Sequence, residues 1–88
     1  MAHQTKYRFF EDGSHGWLEV PRTEVEASGA DISSYSYYHP GADKVYLEED
    51  VDMWNFLRAA GKGSASIGAT VRSSLLRRLP SYSSEVKA

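Results

Sequence analysis

Cysteine is absent from the 88 residues, and that excludes disulfide staples, thiolate zinc sites and a cysteine nucleophile together. The same absence fits a reducing cytoplasm. No apolar run approaches the roughly 20 residues that a membrane-spanning helix needs. Met1 to Gln4 lacks a basic-then-apolar pattern, so no secretion signal is expected. Disorder is not expected either, because the chain is 41% hydrophobic and 12% aromatic with 25% charged residues. At this length there is room for one core and not for two.

What is present is unevenly distributed. Residues 1–61 carry five basic side chains against eleven acids, a balance of −6, whereas residues 62–88 carry five against one, a balance of +4. The last 27 residues also hold seven serines, and the stretch across their start, Gly61-Lys62-Gly63-Ser64-Ala65-Ser66, is linker-like. Charge and composition thus predict a compact α+β body over residues 4–61 and a basic, serine-rich tail over 62–88, dispensable for folding.

Within the body, Tyr7-Arg8-Phe9-Phe10 and Trp17-Leu18-Glu19-Val20 are strand-prone and flank a turn with Gly13 and Gly16. Pro21 ends the second strand, and Thr23 to Glu26 has the form of a capping box for a short helix that Gly29 stops. Ile32 to Tyr38 alternates polar and aromatic residues, placing Tyr35 and Tyr37 on one strand face. A turn at 39–43 then leads to the strand Lys44 to Glu48. Asp50 is the expected N-cap of a helix over 51–60, whose apolar stripe is Met53, Trp54, Phe56, Leu57 and Ala60. The expected order is β-β-α-β-β-α, a small antiparallel sheet with helices on one face. Its core would draw on Phe9, Leu18, Val20, Val25, Val45, Leu47, Trp54, Phe56 and Leu57. In the tail, Ile67, Val71, Leu75 and Leu79 recur every four residues, which predicts at most one amphipathic helix over 69–79 that forms on binding.

Motifs for chemistry are scarce. His3, His15 and His39 stand far apart, and none has a second histidine three or four residues away, so no metal site or catalytic histidine is expected. Gly61-Lys62-Gly63-Ser64 follows a helix and lacks the upstream glycine of a phosphate loop, and Ser14-His15-Gly16 is not a nucleophile elbow. The cluster Glu48, Glu49, Asp50 and Asp52 lacks the glycine and distal glutamate of a calcium loop. Helix capping accounts for it, and an anionic patch that meets a basic surface is the sharper reading. Tyr35, Tyr37 and Tyr46 are candidate anchors for the same contact. No cofactor is implied.

Three stretches together, His15-Gly16-Trp17-Leu18-Glu19-Val20-Pro21, Ile32-Ser33-Ser34-Tyr35-Ser36-Tyr37 and Val45-Tyr46-Leu47-Glu48-Glu49-Asp50 with Asp52, resemble small accessory proteins of bacteriophages, plasmids and other mobile elements. The resemblance spans about residues 8–60 and brings no catalytic motif. It implies a bacterial cytoplasm and a non-enzymatic inhibitor of host defence, of the anti-CRISPR kind, whose partner is a nucleic-acid-processing complex such as a CRISPR effector. The alternative is a small nucleic-acid-binding regulator in which Arg72, Arg77 and Arg78 contact phosphates and tyrosines stack on bases. A homodimer that sets the basic tail of one copy against the acidic body of another is also expected.

Overall fold

The first hairpin is set by its turn. In the computed structural model, which describes residues 6–82, the Asp12 carboxylate accepts hydrogen bonds from the backbone N–H groups of Ser14 and His15 at 3.0 and 2.9 Å. Gly13 takes a positive φ of 96° there, where a side chain would be strained. The turn joins β1 (Tyr7–Glu11) to β2 (Gly16–Pro21), antiparallel, with Phe9 opposite Leu18 and Phe10 opposite Trp17. Helix α1 (Arg22–Ser28) follows directly and ends at Gly29, whose left-handed φ of 72° lets its N–H reach the Glu26 carbonyl. The expected capping box does not form. Pro21 occupies the N-cap position, and no side chain caps the helix.

Strands β3 (Tyr37–His39) and β4 (Lys44–Glu48) form the second hairpin, and α2 (Asp52–Ala59) follows. Asp50 is not the N-cap of α2. Glu48 instead accepts hydrogen bonds from the N–H groups of Asp50 and Val51, at 3.0 and 3.1 Å, just before the helix. The fold is α+β as expected, but its sheet is mixed and has five strands in the order β3-β4-β2-β1-β5. The fifth strand, β5 (Ile67–Arg72), lies parallel to β1.

Period-two alternation sends the strand side chains to two different layers. Tyr7, Leu18, Val20, Val45 and Leu47 face α1 and α2 and pack with Val25, Met53, Phe56 and Leu57. Tyr7 meets Phe56 edge-on at 5.7 Å. Trp54 departs from the expected core, because it lies at the margin of the α2 stripe and is 38% exposed. The opposite face buries Phe10, Trp17, Tyr46 and Leu76.

The division at residue 61 does not describe the molecule. The 62–88 segment supplies β5, and a 3₁₀ turn at Leu76–Arg78 then places Leu76 on the second face. The chain next reaches the far edge of the sheet, where the Tyr38 N–H donates to the Pro80 carbonyl at 2.9 Å and the Tyr82 N–H to the Ser36 carbonyl at 2.8 Å. Tyr82 itself is buried in the main core. Residues 73–82 therefore strap the second face from one sheet edge to the other. The expected helix over 69–79 is replaced by strand, turn and strap because Phe10, Trp17 and Tyr46 offer apolar surface that the first four strands leave uncovered.

Candidate functional site

A groove of about 370 Å³ opens at the end of the sheet where β2 begins and β4 ends. Trp17 and Glu48 are cross-strand partners there, so their side chains rise on the same face. Tyr37, at the start of β3, sets its ring 5.8 Å from that of Trp17, and these two rings belong to the second apolar layer. The outer walls are Tyr35, 76% exposed, and Val51, 56% exposed. Glu48 and Asp50 bring carboxylates to one side, while His15 and Arg77 lie on the other.

Arg77 is placed by the strap. Its Nε donates to Asp12 at 2.7 Å, and its guanidinium carbon lies 5.3 Å from the Trp17 ring centre. Its Nη2 lies 2.7 Å from His15 Nδ1. A guanidinium only donates, so Nδ1 accepts and the ring proton sits on Nε2. The Arg77 bond, joined by the two backbone N–H groups of the turn, holds the Asp12 carboxyl well below the usual carboxylate range. Arg77, one of the tail cations expected to meet the acidic body of a second copy, pairs with Asp12 of its own chain.

Trp17 is 3% exposed, and its indole N–H finds no acceptor among the described residues. A buried donor without a partner costs about 1–3 kcal/mol, so it stands out in a protein whose other buried side-chain polar atoms are satisfied within the described residues.

The structure separates the expected contact residues. Tyr35, Tyr37, Glu48, Asp50 and Arg77 meet in the groove. Glu49 is exposed next to it, near Gly16, lining a shallower depression. Asp52 is not a surface acid: it is 1% exposed and accepts hydrogen bonds from Ser33 N–H, Ser33 Oγ and Ser36 Oγ. Tyr46 is not a surface anchor either. It is buried, and its hydroxyl donates to Glu19 at 2.7 Å. Burial raises the Tyr46 pKa, and the Glu19 carboxylate raises it further. On Glu19, burial acts to raise the pKa, yet the hydrogen bonds from Arg8 and Tyr46 outweigh it and the net direction is down. The three tail arginines do not form one patch, since Arg72 ends β5 beside Glu11, Arg77 is held by Asp12, and Arg78 is exposed on the strap.

His15, Trp17 and Val51 join the groove although the sequence reading gave them no such role. Alternation along β2 carries the signal for Trp17, because Leu18 and Val20 point into the main core and Trp17 and Glu19 must point away. Among the described residues, no cluster of three or more metal-ligating side chains occurs and no helix is long and apolar enough to cross a membrane. The fold and the groove together define a small α+β domain with a shallow aromatic and acidic recess at one end of its sheet. No protein-family model matches the chain, and comparisons with curated proteins and with solved structures found no match.

Proposed function

We propose that this protein is a non-enzymatic binding module that docks its groove end against a basic, nucleic-acid-binding surface of a host complex and blocks it. The observation that carries this reading is the grouping of exposed Tyr35 and Val51 with the Glu48 and Asp50 carboxylates around one recess, with exposed Glu49 beside it. Exposed aromatic and aliphatic anchors beside charges of one sign are what an interface core and its steering rim require. In the mobile-element setting that the sequence resembles, the partner is a defence complex, with a CRISPR effector the most specific case. The nucleic-acid regulator is the weaker reading, because Arg77 is already neutralised by Asp12 and the recess repels phosphate.

The test is affinity capture from host bacteria with the intact protein and with a Tyr35→Ala, Glu49→Lys, Asp50→Lys variant. These three side chains are exposed, so folding is expected to persist. Capture of a nucleic-acid-processing complex by the intact protein and not by the variant supports the proposal. Equal capture by both, or capture of nucleic acid alone, removes it.

A further inference from the structure

We propose that the outer edge of β5 pairs with β5 of a second copy, antiparallel about a two-fold axis at Val71, so that two sheets become one. This interface is separate from the groove and is built from main chain, not from the charge difference between tail and body. The strand order leaves two edges, at β3 and at β5, and the molecule treats them differently. At the β3 edge the strap lies alongside: Tyr38 N–H donates to the Pro80 carbonyl, Tyr82 N–H to the Ser36 carbonyl, and Tyr37 bridges to Ser81. No described residue does the same for β5. That strand is six residues long against three in β3, holds no proline, and carries one charge, Arg72, at its end. An edge of this kind is a template for a further strand unless something guards it. Arg72 does not. A Cβ added at Gly13 would lie 3.2 Å from Arg72 Nη2, so the guanidinium leans to the first turn and away from the edge.

The register follows from which main-chain groups point outward. Ser73 N–H donates to the Glu11 carbonyl at 2.9 Å, so alternation turns the main chain of Val71 to β1 as well and that of Thr70 and Arg72 to the open side. The irregular pairing with β1 falls earlier, between the partners of Tyr7 and Phe9, and residues 70–72 are regular. With Thr70 of each copy opposite Arg72 of the other, both pairs exchange their N–H···O=C bonds. Val71 then meets its own symmetry mate as a close β-branched pair and extends the second apolar layer, which it already borders. Leu75, 60% exposed, lies just past the strand, where the chain turns onto that same face. An axis at Thr70 would instead set Arg72 opposite Gly68, inside the irregular stretch. The contact is small beside the roughly 1,200 Å² of a stable interface, so the dimer is reversible and populates at high micromolar concentration.

The experiment is sedimentation velocity of the full chain from about 20 μM to about 1 mM, with amide exchange read by NMR at both ends of that range. A monomer–dimer equilibrium is expected, with the Thr70 and Arg72 amides slowed about threefold or more at the high end. The Val71 amide, already turned to β1, should not change. Thr70 is exposed, so Thr70→Lys and Thr70→Glu are expected to fold. Lysine sets a like charge opposite Arg72 of the other copy and glutamate an opposite one, so the glutamate variant should associate about fivefold more tightly than the lysine variant. Overall repulsion between copies that each carry a net charge of −2 would order the two variants the other way. A chain that stays monomeric throughout, equal association of the two variants, or protection that spares Thr70 and Arg72 overturns the interface. So does an extended segment of another protein that protects Thr70 and Arg72 in a chain that does not pair with itself.

Discussion

Asp50 and Asp52 look alike in the sequence and do opposite work. Asp52 sits in the first turn of α2 with its carboxylate turned inward, where it ties residues 33–36 to the helix through three hydrogen bonds of 2.6–3.0 Å. Asp52→Ala would leave buried Ser36 without that acceptor and is expected to cost about 2–4 kcal/mol. Asp50→Ala, at an exposed position, should stay within about 0.5 kcal/mol. Urea unfolding of the two variants checks this contrast, and equal losses would contradict it. Tyr46 offers a second residue-level test. Tyr46→Phe keeps the ring on Phe10, which it meets edge-on at 5.3 Å, and deletes only the bond to Glu19. The expected loss is about 1.5 kcal/mol. The Glu19 pKa should rise at the same time, moving acid unfolding to higher pH.

At the scale of elements, the first two strands, α1, β4 and α2 are legible because local rules and burial agree in them. Alternation in Trp17 to Val20 separates two faces, and the arc of Met53, Phe56 and Leu57 has helical period. Strand β5 is not legible by the same means. The four-residue recurrence of Ile67 and Val71 matches a helix, but in β5 an irregularity in the pairing with β1 sends Ile67 to the main core and Val71 to the second face, so that spacing says nothing of the strand. The β-branched run Ile67, Thr70 and Val71 favours the strand, but its partner β1 lies some 60 positions upstream, and no local pattern names it. The groove was legible in its acids and in Tyr35 and Tyr37. It was hidden at Arg77, which reaches Trp17 only once the strap is laid. Residues after 61 are thus expected to be required for the fold. Truncation after Gly61 removes β5, Leu76 and Tyr82 together and should abolish cooperative thermal unfolding. Leu76→Ala in the intact chain should cost about 2–5 kcal/mol. A truncated chain with an unchanged melting transition would return the tail to the status of an appendage.

Over the whole molecule, carboxylates fasten segments that are distant in sequence. Asp12 holds Arg77 of the strap, Glu19 holds Arg8 across the second face, and Asp43 holds Arg22 at the start of α1. All three carboxyl groups titrate below their ordinary range: Asp12 and Asp43 chiefly through their arginine hydrogen bonds, and Glu19 through Arg8 and Tyr46 against the opposing effect of burial. A depressed folded-state pKa gives stability that is fully present above the unfolded carboxylate value of about 4 and is lost as pH falls through the folded value. Two tyrosines act at the other limit. Burial, followed by the neighbouring Glu24 and Glu19, raises the Tyr7 and Tyr46 hydroxyls. Stability from a raised tyrosine is complete below about pH 10 and declines as pH climbs towards the folded value. Urea unfolding across pH 3–11 should therefore give a plateau between about pH 5 and pH 9 with a fall on each side. Arg77→Gln should lower the plateau and make the acid fall shallower, because Asp12 then titrates closer to its unfolded value. Tyr46→Phe should make the alkaline fall shallower. An acid limb of unchanged slope in Arg77→Gln would mean that the strap is held by Leu76 and Tyr82 alone, with the Asp12 pair contributing nothing to its attachment.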